Sequence, residues 1–157
     1  NTFASMEEFA QTFLESGTKP EVEVFDSGMI NNLAYLAGKG LVNKPVYLQF
    51  VMGILGGVPA GVENLMFLHQ TAQRTFGADL EWSVCAAGRH QMPMVTAGLL
   101  MGSHVRVGLE DSLFISRGTL ARSSAEQVEK VVRIARELNI EIASPDEARQ
   151  ILGLASL

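Results

Sequence analysis

Apolar and polar positions along the chain follow two rhythms. Residues 21–26, 80–86 and 104–110 alternate with the two-residue period of a strand. Residues 46–52, after Pro45, form a strongly apolar strand. Between them lie segments with helical spacing. Ser5, with Glu8 three residues on, has capping-box spacing and opens a first helix, with Phe9, Phe13 and Leu14 as its stripe and Gly17 as its end. Asp26 or Ser27 caps a second helix that Gly38 and Gly40 stop. A third covers residues 61–75 and carries His69, to which no role is assigned. A fourth, residues 92–101, is mostly apolar, as a helix packed on a sheet can be. Ser123-Ser-Ala-Glu126 repeats the capping box and starts a long amphipathic helix ending near Asn139, with Val128, Val131, Val132, Ile134 and Ala135 inward. Ser144-Pro145-Asp146-Glu147 opens a short helix with proline at its first position, closed by Gly153.

The order is a helix, then four strand–helix units, then a short terminal helix. Such βα alternation with short links predicts a parallel sheet with crossover helices. The strand faces refine this. In residues 104–110, Val105, Val107 and Leu109 share one face, while His104, Arg106, Gly108 and Glu110 share the other. In residues 21–26, Val22 and Val24 oppose Glu21, Glu23 and Phe25. An open doubly wound sheet is covered by helices on both faces and reads as apolar. A barrel can carry charge on its inner face, near the mouth where the loops leaving the strands converge. The expected fold class is therefore α/β, the C-terminal half of a (β/α)8 TIM barrel, with four parallel strands and flanking helices. On this reading residues 1–157 are the C-terminal part of a single barrel domain whose N-terminal strands are absent from the chain, since a full barrel takes about 250 residues. A half-barrel exposes two strand edges, so more chain, another fragment or a second copy is expected to complete it.

Composition narrows the class. The 157 residues are 47% hydrophobic and 18% charged, as a globular domain is. A net charge of -5 and dispersed Lys and Arg argue against a nucleic-acid surface. The single cysteine, Cys85, cannot form an internal disulfide, which fits a reducing cytoplasm. No apolar run reaches the roughly 20 residues of a spanning helix; the longest, residues 46–55, is broken by Gln49 and Gly53. Nothing resembles a signal peptide, and the start at Asn1 hints at a piece of something longer.

The candidate chemistry sits at the carboxyl ends of the strands. Glu110 and Asp111 form an acidic pair at the end of the last strand. Gly53-Ile-Leu-Gly-Gly-Val-Pro59 follows a strand directly, yet lacks both GxGxxG and a P-loop lysine, so it reads as a tight turn rather than a nucleotide loop. Arg89 and His90 follow another strand and either bind an anionic group or cap the next helix.

Four stretches carry a resemblance. Pro20-Glu-Val-Glu-Val-Phe-Asp26, Gly88-Arg-His-Gln-Met-Pro93, Val105-Arg-Val-Gly-Leu-Glu-Asp111 and Ala143-Ser-Pro-Asp-Glu-Ala-Arg149 resemble the β-keto acid cleavage enzymes, over the C-terminal portion of that family's barrel. The resemblance implies a zinc-dependent Claisen-type exchange, in which a β-keto acid and acetyl-CoA give acetoacetate and a new acyl-CoA. It implies that Glu110 is a Zn2+ ligand, that Arg106 and Asp111 belong to the catalytic machinery, and that Glu23 is an inward carboxylate near the metal. In the family a His-x-His pair supplies further ligands. His69, His90 and His104 form no such pair, so the remaining ligands are expected from the absent N-terminal half. The implied partners are a small β-keto acid, acetyl-CoA, and either further copies of the chain or an N-terminal half; neither nucleic acid nor membrane is expected. The residues also allow a non-catalytic fragment or assembly module, or another barrel lyase that holds an anionic substrate on backbone N–H groups near Gly56-Gly57 or Gly88.

Overall fold

The computed structural model describes residues 2–154. Helix α1 (Phe3–Ser16) leads into strand β1 (Val22–Val24), α2 (Ser27–Gly38), β2 (Val46–Met52), α3 (Val62–Phe76), β3 (Leu80–Ala86), α4 (Gln91–Leu100) and β4 (His104–Val105). A short hairpin, β5 (Phe114–Ser116) and β6 (Thr119–Leu120), precedes α5 (Ser124–Glu137) and α6 (Pro145–Ile151). The hairpin is too short to leave a periodic trace.

Local chemistry accounts for the helix ends. Asp26 caps α2 by accepting from the amides of Gly28 and Met29. Ser123 caps α5, and Ser144 with Glu147 forms the capping box of α6 behind Pro145. The first helix starts earlier than its Ser5–Glu8 spacing suggests. Thr2 is the cap and Ser5 is the third helical residue, reciprocating with its own hydroxyl. Gly17 ends that helix in the left-handed conformation, with φ at 65°.

The four long-range strands pair in the order β1-β2-β3-β4, all parallel. Each strand lies beside its predecessor in the chain, with no reversal of the kind that marks the switch point of a doubly wound sheet. This order is consistent with one half of a barrel wall. One face of the sheet is apolar. Val24, Leu48, Phe50, Trp82 and Val84 meet Ile30 and Leu33 of α2 and Leu65, Leu68 and Ala72 of α3. Each of these side chains larger than alanine contributes roughly 1.5–3 kcal/mol on burial, so the helix-covered face holds the strands in place. A smaller cluster joins Val95 and Leu99 of α4 to Val131 and Ala135 of α5. Val128, expected inward, is instead 47% exposed on the flank of α5. Buried Gln127 occupies the inward position beside it, because its amide is needed by a loop described below.

The opposite face is polar. Register places Glu23, Gln49, Ser83 and His104 side by side across the strands as one row. The last strand is shorter than its alternation suggests. After Val105 the ladder gains one more bond, from the Arg106 amide to the Val84 carbonyl, and the chain then turns. The amides of Asp111 and Ser112 both donate to the Gly108 carbonyl, which curls residues 108–112 back over the sheet edge. Among the described residues no helix is long and apolar enough to cross a membrane.

Candidate active site

The polar row ends in a cluster built around Arg106. Its Nε and Nη2 donate to the two oxygens of Asp111 at 3.1 and 2.8 Å, the two-pronged geometry that guanidinium and carboxylate favour. Nη1 donates to Glu23 Oε1 at 2.9 Å and to Gln49 Oε1 at 2.8 Å. Glu110 Oε2 stands 3.8 Å from Nη2, beyond hydrogen-bond range. One arginine thus joins β1, β2, the end of β4 and the turn that follows. The structure brings Glu23, Arg106, Glu110 and Asp111 together at the strands' carboxyl ends, but not with Glu110 on a regular strand. Glu110 lies on the turn.

Exposure runs in a gradient. Gln49 is buried, the Asp111 side chain is 8% exposed, Arg106 31%, Glu23 43% and Glu110 85%. The floor is therefore committed and the rim is open. Asp111 spends both oxygens on Arg106, so it orients the guanidinium. Glu23 uses one oxygen on Arg106, and its other oxygen has no hydrogen bond among the described residues. Of the five N–H groups of Arg106, four are engaged and one on Nη2 remains for a substrate oxygen. The fork itself is filled by Asp111, so a substrate carboxylate meets a single donor here. The Asp111 hydrogen bonds, foremost, keep Arg106 firmly protonated.

Residues that the sequence reading left out support this arrangement. Gln49 receives Arg106, donates to Ser83 Oγ at 3.2 Å and accepts from the Cys85 thiol at 3.7 Å. Its signal was visible as the one amide interrupting an apolar strand. Two buried glutamines hold the turn. Gln91 at the start of α4 accepts from the Gly108 amide at 3.2 Å, and Gln127 donates to the Ser112 carbonyl at 2.6 Å. The Ser124 hydroxyl accepts from the Leu109 amide, and the Gly88 amide donates to the Asp111 carbonyl at 2.6 Å. Nothing local in the sequence marks these long-range partners.

The histidines lie apart. His69 stacks on Trp82, ring centroids 4.4 Å apart, and burial lowers its pKa. His90 accepts from Arg89, and His104 pairs with Glu81 at 3.2 Å. Among the described residues no group of three or more His, Cys, Asp or Glu side chains is placed to hold a metal. Catalytic zinc ordinarily has about three protein ligands, so this chain does not furnish the set alone. Glu110 nevertheless fits as one donor, with its carboxylate open at the rim. Glu23, Glu110 and Asp111 also place three carboxylates around the one guanidinium of Arg106, an excess of negative charge that a divalent cation would offset.

The amides of the 53–59 loop are turned inward. Gly53 donates to the Val58 carbonyl, Gly57 to Ile54, and Val58 to Phe25, so the loop is a tight turn with no amide cradle aimed outward at these positions.

Cys85 is fully buried on the same face, and burial, foremost, pushes its thiol up to about 12. A thiol so placed is neither a nucleophile nor a metal ligand near neutral pH. Between its ordinary value of 9.0 and about 12, the unfolded chain releases this proton while the folded chain keeps it. The stabilisation is present below pH 9 and is lost as pH rises toward 12. Cys85→Ser is therefore expected to flatten the alkaline limb of a urea-stability profile. Alkylation of the native thiol at pH 8 is expected to run about 100-fold slower than that of free cysteine.

Comparison with known proteins supplies the remaining findings. A family model described as beta-keto acid cleavage enzyme matches residues 1–154. The chain is 44% identical over 154 residues to the 3,5-dioxohexanoate:acetyl-CoA acetone transferase of Paraburkholderia graminis, covering 98% of this chain and 50% of that protein. It is 43% identical over 154 residues to the 3-keto-5-aminohexanoate cleavage enzyme of Fusobacterium nucleatum, covering 98% and 54%. It is 36% identical over 139 residues to the 3-oxoadipate:acetyl-CoA acetyltransferase of Cupriavidus necator, covering 88% and 49%. The chain spans about half the length of the curated relatives it matches.

Proposed function

The chain belongs to the beta-keto acid cleavage enzyme family, and from that premise we propose that it is the C-terminal half of a TIM barrel that transfers acyl groups between a β-keto acid and acetyl-CoA. The products are acetoacetate and a new acyl-CoA. The observation that carries this reading is the Arg106 cluster: one guanidinium gathers Glu23, Gln49 and Asp111 at the carboxyl ends of the strands and leaves Glu110 open beside them.

The residues divide the work by what each has left to offer. Asp111 aims Arg106. The remaining Nη2 proton of Arg106 meets an oxygen of the β-keto acid and holds its negative charge. The second oxygen of Glu23 is the general base of the site, taking a proton from the carbon next to the ketone. Gln49 fixes both by bonding to Arg106 from a buried strand. Glu110 supplies one ligand to Zn2+, with the rest coming from chain outside residues 1–157. When bound, zinc polarises the ketone and lowers the cost of charge on its oxygen.

The missing wall comes from an N-terminal half or from another copy of the chain, because among the described residues β1 and β4 each have a strand on one side only. The reading as a non-catalytic assembly module leaves three carboxylates and an arginine gathered with no task. The reading as an anion-binding lyase calls for backbone N–H groups near Gly56-Gly57 or Gly88, and of these the Gly57 and Gly88 amides are bonded to carbonyls.

The test is acetyl-CoA-dependent release of acetoacetate by the full-length protein across a panel of β-keto acids, before and after removal of metal. Turnover that vanishes with a chelator and returns with Zn2+ is the expected result. Cleavage that proceeds equally without acetyl-CoA would discard the proposal.

A further inference from the structure

We propose that the cleft between the 3-10 turn Gly88–His90, the β5–β6 hairpin and α5 binds the phosphate groups of coenzyme A, an inference that rests on the acetyl-CoA reading above. The cleft has a volume of about 800 Å³, within the roughly 300–1,000 Å³ of small-molecule sites. Arg89 from the turn, Arg117 from the hairpin and Lys130 from α5 line it, and no carboxylate does. In a chain of net charge -5, that is a local reversal of sign.

None of these three cations forms an ion pair with a carboxylate among the described residues. Arg89 donates its Nε to the His90 ring at 3.3 Å and keeps both terminal nitrogens. Lys130 donates to the Ile115 carbonyl, which uses one of its three protons. Like charges set around one hollow repel each other, and a polyanion relieves that repulsion. The positive end of the α4 dipole adds to the attraction. Phe114 and Ile115 give the cleft an apolar wall on which a purine can lie.

The location suits a cofactor whose reacting end is far from its phosphates. Ser112 borders the cleft and follows Asp111 directly, while the Gly88 amide donates to the Asp111 carbonyl. The cleft therefore backs onto the turn that carries Glu110 and Asp111. Coenzyme A has a charged nucleotide head and a long, neutral pantetheine arm ending in the thioester. The head fits a basic hollow outside the acidic site, and the arm carries the acetyl group to it. A free phosphate or another nucleotide shares the first half of this chemistry, so the test must separate them.

The experiment compares acetyl-CoA with acetylpantetheine, the same thioester without the nucleotide, in the full-length protein. The R89A/R117A double variant is expected to raise KM for acetyl-CoA about 30-fold and KM for acetylpantetheine less than about threefold. Arg89→Ala alone leaves the hairpin untouched and is expected to move the same way, by about fivefold. Equal effects on both donors, or none on either, would overturn the assignment. Calorimetric titration with 3′,5′-ADP gives a readout independent of turnover: binding should weaken at least about tenfold in the double variant. Inorganic phosphate that binds as tightly as 3′,5′-ADP would also overturn it, marking a simple phosphate site. If the wild-type protein binds 3′,5′-ADP at these residues yet turns over no acetyl-CoA, the functional reading fails and the nucleotide site stands.

Discussion

Arg106→Ala in the full-length protein is expected to lower kcat/KM by about a thousandfold, roughly 4 kcal/mol of lost transition-state stabilisation. The reason is that this side chain anchors the other groups and, in the proposed function, also contacts the substrate. Without it, Asp111, 8% exposed in its side chain, keeps a charge with no counterion, and the buried Gln49 oxygen loses its charged donor. Glu23 and Asp111 then repel each other across the gap. Breaking a buried pair from one side typically costs about 3–5 kcal/mol of stability. Arg106 is 31% exposed, so water screens part of this and about 2–3 kcal/mol is expected. Urea unfolding measures that loss, and steady-state kinetics on the folded fraction measures the other. Arg106→Lys sharpens the argument. An ammonium keeps the charge but is a single point, and it cannot satisfy Asp111 on two prongs while reaching Glu23 and Gln49. It is expected to recover most of the stability and less than about a tenth of the activity. A lysine variant with wild-type kinetics would show that charge alone suffices and that the fork has no catalytic part.

Glu110→Gln is expected to have the opposite profile, leaving the fold alone and removing the chemistry. The side chain is 85% exposed, and its nearest charged partner, Arg106, is 3.8 Å away. Surface changes of this kind move stability by within about 0.5 kcal/mol. A glutamine amide is a poor zinc ligand, because it carries no charge to offset the cation. Zinc content of the purified full-length protein is expected to fall well below one per chain, and turnover to fall by about a thousandfold. Excess Zn2+ should restore part of the activity if the other ligands are intact. Full zinc content with normal turnover would remove Glu110 from the site altogether. Because the two variants differ in stability as well as rate, they separate a residue that builds the site from one that only acts in it.

Much of this was legible before any coordinates. Strand β3 shows in its alternation and most helices in their period, while β2 reads as a continuous apolar run because it is buried at nearly every residue. Asp26, Ser123 and Ser144 announce their helices through local hydrogen bonds. What the period could not record was the end of β4. Residues 104–110 alternate perfectly, yet the ladder stops near Arg106, because the next residues are held by Gln91, Ser124 and Gln127 from elements up to 17 positions away in the chain. The pairing of Arg106 with Asp111 depended on that. Five residues apart on a straight strand they would point to opposite faces. The turn closed by the Gly108 carbonyl is what folds Asp111 back onto the guanidinium. The buried face of α5 was misjudged at Val128 for the same reason: Gln127 is buried to serve a distant carbonyl, and the hydrophobic pattern has no symbol for that.

The central claim is that the open carboxylate of Glu110 and the Arg106 cluster share one metal-bearing mouth. Anomalous diffraction at the zinc edge from crystals of the full-length protein tests it most directly. A single strong peak within coordination distance of the Glu110 carboxylate, on the same side of the sheet as Glu23 and Arg106, is the expected result. A fully active protein whose zinc lies elsewhere, or whose Glu110 faces only water, would contradict it.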